Sequence, residues 1–90
     1  MLFMVLEKFR NQNAKAVYRR LRDEGRGLPD ELKFVESWVS ADVGRCFQLM
    51  ETDDITLLQR WIAGKTDLVE FEVVPVVSGK ETAAALAPLL

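Results

Sequence analysis

The sequence predicts an α+β fold of the ferredoxin-like kind, βαββαβ, with a four-stranded antiparallel sheet, two helices on one face and a short C-terminal helix. Two observations carry this expectation. Four short stretches are rich in β-branched and aromatic residues. After the first and third of them, the apolar spacing changes to that of a helix. No repeat, linker or low-complexity run interrupts the order, so residues 1–77 read as one domain and 78–90 as a docking tail.

The first strand is Leu2 to Phe9, a nearly continuous apolar run suited to cover on both faces. Asn11 or Asn13 then caps a helix whose Ala14, Val17, Tyr18 and Leu21 recur at helical spacing, and Gly25 or Gly27 stops it. Glu31 to Ala41 is the second strand. Arg45 to Thr52 is the third, followed by a helix capped by Thr52 or Asp53, with Ile55, Leu58, Trp61 and Ile62 inward and Gly64 as its stop. Leu68 to Val77 is the fourth, and Pro75 assigns it to an edge because proline has no N–H for a sheet ladder. In the tail, Ser78 and Glu81 stand in capping-box spacing ahead of Ala83 to Leu86, and Pro88 ends the run.

Composition narrows the function. With 49% hydrophobic and 29% charged residues and a net charge of −2, the chain is a folded domain with no overall pull toward nucleic acid or an anionic membrane. Its single cysteine, Cys46, excludes an internal disulfide and suits a reducing compartment. The opening MLFMVLEKF has neither a basic leader nor a small-residue cleavage site, so a cytoplasmic, unprocessed protein is expected. Histidine is absent, which closes Ser-His-Asp and Cys-His catalysis, and zinc catalysis is not expected from one thiol. No cofactor and no metal are expected. Carboxylates, lysines, Tyr18 and the thiol remain for acid and base work.

Helices on one face of the sheet leave the other needing cover, because Leu2 to Leu6 is apolar at every position and Phe34, Trp38, Phe71, Val73, Val74, Val76 and Val77 supply further bulk. Each such side chain left wet forgoes roughly 1.5 to 3 kcal/mol. A second copy packed sheet to sheet in a twofold homodimer is the expected partner.

The run GRCFQLMETDD at 44–54, with SWV at 37–39, RWI at 60–62 and FEVVPV at 71–76, resembles a family of short bacterial proteins grouped with the dimeric α/β-barrel proteins. The likeness covers Met1 to Val77. It implies the fold and a dimer but no reaction, since the wider group contains monooxygenases, isomerases and haem-containing members.

Candidate site residues depend on the hairpin register. A three-residue loop Asp42-Val43-Gly44, with Gly44 in the left-handed conformation, pairs Trp38 with Gln48; a two-residue Val43-Gly44 turn pairs Trp38 with Leu49. On the first register Val35, Ser37, Val39, Phe47 and Leu49 lie under the helices. Phe34, Glu36, Trp38, Ser40, Cys46, Gln48 and Met50 then face a cleft between two sheets. Glu36, Trp38, Ser40, Cys46, Gln48 and Met50 are thus the candidate ligand-binding set: Trp38 to stack on a small apolar or planar ligand, Ser40 and Gln48 to hydrogen-bond it, Glu36 as a base. The simpler reading has Trp38 and Met50 filling a dimer core. Cys46 reads as a small buried hydrophobe, and Asp53 and Asp54 as first-turn acids rather than a metal pair.

Three functions compete. A dimeric small-molecule protein, with or without cofactor-free oxygenase or isomerase activity, calls for a cavity of a few hundred cubic ångströms reaching Trp38 and Gln48. A structural or regulatory interaction module calls for a filled interior and an exposed apolar patch. An RNA-recognition domain calls for basic and aromatic residues on the third strand, where GRCFQLMET offers one phenylalanine and ends in glutamate; it ranks last.

Overall fold

The computed structural model describes residues 1–90. Strand β1 (Leu2–Phe9) leads into helix α1 (Ala14–Glu24). Strands β2 (Lys33–Val39) and β3 (Arg45–Glu51) form a hairpin, and helix α2 (Ile55–Ala63), strand β4 (Val69–Val76) and helix α3 (Gly79–Leu86) follow. The sheet is antiparallel throughout, in the order β2-β3-β1-β4. This is the ferredoxin-like βαββαβ arrangement. β4 is an edge strand, and Pro75 lies within it as expected.

Local chemistry sets most boundaries. Asn13 caps α1 by accepting the Ala16 N–H at 3.2 Å, and Gly25 ends it at φ +69°, a conformation open to glycine. The cap of α2 is Asp54, not Thr52 or Asp53: its carboxylate accepts the Thr56 N–H at 2.9 Å. Thr52 is buried two residues earlier, where its hydroxyl accepts the Asp54 N–H and braces the cap. Ser78 caps α3 through the Glu81 N–H.

The hairpin register departs from both alternatives read from the sequence. Ser40 and Arg45 close a four-residue loop, Ala41 to Gly44, and Trp38 pairs with Phe47, Ser37 with Gln48 and Val39 with Cys46. The left-handed residue is Val43 at φ +62°, not Gly44. Side-chain chemistry explains the longer loop. The Ser40 hydroxyl donates to Asp42 at 2.7 Å and accepts the Arg45 N–H at 3.0 Å, while Asp42 also accepts the Gly44 N–H. This network satisfies polar groups that a tighter turn would leave bare. An irregularity at Val35, between Phe34 and Glu36, then shifts the alternation of β2 by one residue.

The faces are reassigned accordingly. The helix side carries the rows Val39-Cys46-Glu7-Phe71, Ser37-Gln48-Val5-Val73 and Phe34-Met50-Phe3-Pro75. The open side carries Trp38-Phe47-Leu6-Glu72, Glu36-Leu49-Met4-Val74 and Lys33-Glu51-Leu2-Val76. Phe47 and Leu49 are therefore not under the helices, and Cys46, Gln48 and Met50 are.

The core is asymmetric. Its main cluster joins Phe3, Val5, Met50 and Leu32 to Leu58 and Trp61 of α2. Trp61 fastens this end further by donating its indole N–H to the Arg26 carbonyl at 2.8 Å and meeting Phe71 edge to face. Ile55, expected on the buried stripe of α2, is instead half exposed at the first turn, with Leu57 packed inward. A smaller cluster of Phe9, Cys46 and Val69 meets Ala14 and Val17 of α1, yet no residue of α1 is itself buried. The second helix seals the sheet; the first stands off from it.

Candidate functional site

The space under α1 is a cavity of about 110 Å³. Its floor carries Glu7 of β1, Ser37 of β2 and Cys46 and Gln48 of β3, four polar or thiol side chains in two adjacent rows of the sheet, beside the apolar Phe9 and Val69. Val17, Tyr18 and Leu21 of α1 form the roof and Trp61 one wall, and Arg26 and Lys65 are among the other lining residues. Polar residues on the covered face of a small sheet cost stability unless they are satisfied. Their concentration here, beside an unfilled space, marks the site.

Glu7 is only 7% exposed and has no ion-pair partner. Burial disfavours its charged form and raises the carboxyl to about 7; the neighbouring Cys46 thiol and the more distant charges of Lys65 and Arg26 partly offset this. The carboxyl is thus poised to gain or lose a proton near neutrality, as a general acid or base requires. Cys46, its cross-strand partner, is pushed the other way for chemistry: burial and then Glu7 raise the thiol to about 12, leaving it un-ionised at neutral pH. Cys46 is packing, not a nucleophile.

Gln48 is buried, its amide donating to the Met50 sulfur at 3.5 Å, and no protein donor reaches its carbonyl oxygen. The Ser37 hydroxyl is also without a protein partner. Arg20 lines the cavity too, but its guanidinium holds Asp67 through two hydrogen bonds of 2.9 and 2.6 Å, which depress that carboxyl to about 2 and tie α1 to the loop before β4. Arg26 and Lys65 have no carboxylate partner. Arg26 lies 3.7 Å over the Phe34 ring and Lys65 5.3 Å from the Trp61 ring.

The six residues named from the sequence are divided by the fold. Cys46 and Gln48 meet in the cavity; Met50 is fully buried next to them in the core. Glu36 and Trp38 project on the opposite, open side, and Trp38 is 51% exposed. Ser40 is engaged in the hairpin corner. Glu7, Ser37, Arg26 and Lys65 were missed as site residues. The signal for Glu7 was present: it shares the alternation of the apolar Phe3, Val5 and Phe9, so its phase assigned a carboxyl to the covered face.

A family described as a domain of unknown function, DUF3303, matches residues 1–90. The chain belongs to this family. No curated protein and no solved structure matches it. What the DUF3303 chain can do must accordingly be read from its own cavity, which has a titratable floor, two unpaired cations in its lining and no group of three metal-ligating side chains anywhere in the fold. No helix is long and apolar enough to cross a membrane.

Proposed function

We propose that this protein binds a small molecule in the cavity between the sheet and α1, and that it does so as a cytoplasmic homodimer joined through the open sheet face. The observation that carries the reading is the polar floor of Glu7, Ser37, Cys46 and Gln48 under a helix that buries none of its own residues. A core built only for stability would place apolar side chains there and close the gap.

Size limits the ligand. A cavity of about 110 Å³ is smaller than the ~150 Å³ apolar cavity that admits benzene. The enclosed part of the site therefore suits a small molecule or one small group of a larger one. Reactions that need only a proton-transferring carboxyl, such as an isomerisation, fit this lining.

The dimer rests on the open face. Leu2, Met4, Leu6, Phe47, Leu49, Trp38, Val74 and Val76 form an apolar centre bounded by Lys33, Glu36, Arg45, Lys8, Glu70, Glu72 and Glu51. An apolar centre with a charged rim is the anatomy of a protein interface. The same face and the exposed tail favour a second reading, an interaction module, in which the cavity would be incidental.

The test is a nitrogen-15 amide titration with fragments of four to seven heavy atoms. Shifts clustered at Ser37, Cys46 and Gln48, and abolished by the cavity-filling Leu21→Phe, are expected. If every fragment leaves those resonances unmoved, or if light scattering gives a mass near 10.2 kDa at micromolar concentration, the corresponding half of the proposal fails.

A further inference from the structure

The lining has a polarity that narrows the ligand class. Arg26 and Lys65 bring two positive charges to a cavity in which neither meets a carboxylate within ion-pair distance. Both rest on aromatic rings, Phe34 and Trp61, which hold them without neutralising them. The only other cation in the lining, Arg20, is saturated by Asp67. Arg26 follows directly on the Gly25 stop of α1, and its backbone is pinned by the Trp61 indole. Its position is thus fixed by the fold rather than by a solvent-facing tether.

With them lie the Glu7 carboxyl, hydrogen-bonded to the Cys46 thiol, the Gln48 amide, which donates to the Met50 sulfur, and the Ser37 hydroxyl, each with capacity for a further hydrogen bond. A ligand that satisfies both sets carries one anionic group and, close to it, one oxygen able to hydrogen-bond. Planar bidentate recognition by a guanidinium favours a carboxylate as that anion. The small volume, about 110 Å³, favours a short acid over a phosphorylated sugar or an aromatic acid.

We propose that the cavity is a site for short 2-hydroxy or 2-keto monocarboxylates, held by Arg26 and Lys65 at the carboxylate and by Glu7, Gln48 and Ser37 at the second oxygen. This rests on the cavity being a ligand site at all. Binding is linked to a proton, because an anion entering beside Glu7 is repelled by its ionised form and accepted by its neutral one. The titratable and charged groups facing Glu7 are Cys46 from β3, Tyr18 from α1, Arg26 before β2 and Lys65 after α2. Cys46 and Tyr18 are both held above their ordinary values, which leaves Glu7 as the group that changes charge around pH 7.

The experiment is an amide titration of the full chain with lactate and pyruvate, with propionate and lactamide as controls lacking the second oxygen and the charge. Lactate or pyruvate is expected to shift Ser37 and Gln48, propionate to bind roughly tenfold more weakly, and lactamide weaker still. Arg26→Gln and Lys65→Met should each weaken lactate binding about tenfold or more. Wild-type affinity should fall roughly tenfold from pH 6 to pH 8, and Glu7→Gln should flatten that profile. If neutral fragments enter the cavity but none of the carboxylates does, the ligand class is overturned and the cavity reading stands. If lactate binds equally well to Arg26→Gln and Lys65→Met, or if the pH profile survives Glu7→Gln, the assignment of roles is overturned. If no fragment of any class enters, both proposals fall together.

Discussion

At the scale of single residues, Glu7 has the largest measurable consequence. Its folded value of about 7 exceeds the 4.5 of a free glutamate. Between those values the folded chain binds more protons at Glu7 than the unfolded chain does, so the stability contributed by Glu7 is full below about pH 4.5 and is lost as pH rises through 7. The interval corresponds to on the order of 3 kcal/mol. Glu7→Gln, which keeps the shape and removes the charge, is expected to be more stable than wild type at pH 8 and to lose the slope between pH 5 and 7, as measured by urea unfolding at each pH. Val43 is the second such residue. A β-branched side chain at φ +62° is strained by roughly 1 to 2 kcal/mol, and asparagine tolerates the conformation. Val43→Asn should raise stability by about 1 kcal/mol without moving the hairpin, read as a higher urea midpoint at unchanged slope. Cys46, held un-ionised beside Glu7, should react with iodoacetamide at neutral pH far more slowly in the folded chain than after unfolding.

At the scale of elements, the two helices over the sheet have different jobs. α2 inserts Leu58 and Trp61 into the main core, while α1 is attached by its cap, by the Phe9–Tyr18 edge-to-face contact and by the Arg20–Asp67 pair at its outer edge. A helix held this way opens at lower cost than the whole domain. Amides of α1 are expected to exchange with solvent faster than those of β1 and β3, and Asn13→Ala, at about 1 kcal/mol, should speed that exchange further. α3 is a different case. It has a good cap in Ser78 and helix-forming alanines, yet every residue from Val77 to Leu90 is exposed. A short helix without tertiary cover is marginal in water, so this segment gains from a surface outside its own chain.

At the scale of the molecule, the radius of gyration is 15.0 Å, against about 12 Å for a compact chain of this length. The excess goes with an elongated shape, 48 Å along its longest axis and 17 Å along its shortest. The open sheet face and the exposed tail together leave a large apolar surface for a domain that can bury only about two thirds of its unfolded area alone. If the proposed homodimer forms through that face, Leu6→Lys with Leu49→Glu, both at its centre, should give a monomer by light scattering. Trp38 offers an optical readout, since its fluorescence should shift to longer wavelength on dilution as a half-exposed indole returns to water.

The order of elements, their caps at Asn13 and Ser78, the stops at Gly25 and Gly64 and the edge character given by Pro75 are local properties, set by residues that touch near neighbours in the chain. Those were legible in the sequence. The exclusion of histidine and disulfide chemistry was legible too, because composition needs no geometry. What only the tertiary structure decided is which side of the sheet each residue faces. One extra residue in the hairpin loop and one irregularity at Val35 reversed the faces of β3 and split Glu36 and Trp38 from Cys46 and Gln48. Strand faces have a period of two, so a shift of a single residue in pairing inverts the site while leaving every element in place. Glu7, Arg26 and Lys65 come from three segments far apart in the chain, and no local pattern relates them. They meet because antiparallel pairing sets Glu7 against Cys46, and because α1 and α2 end near one another over that pair.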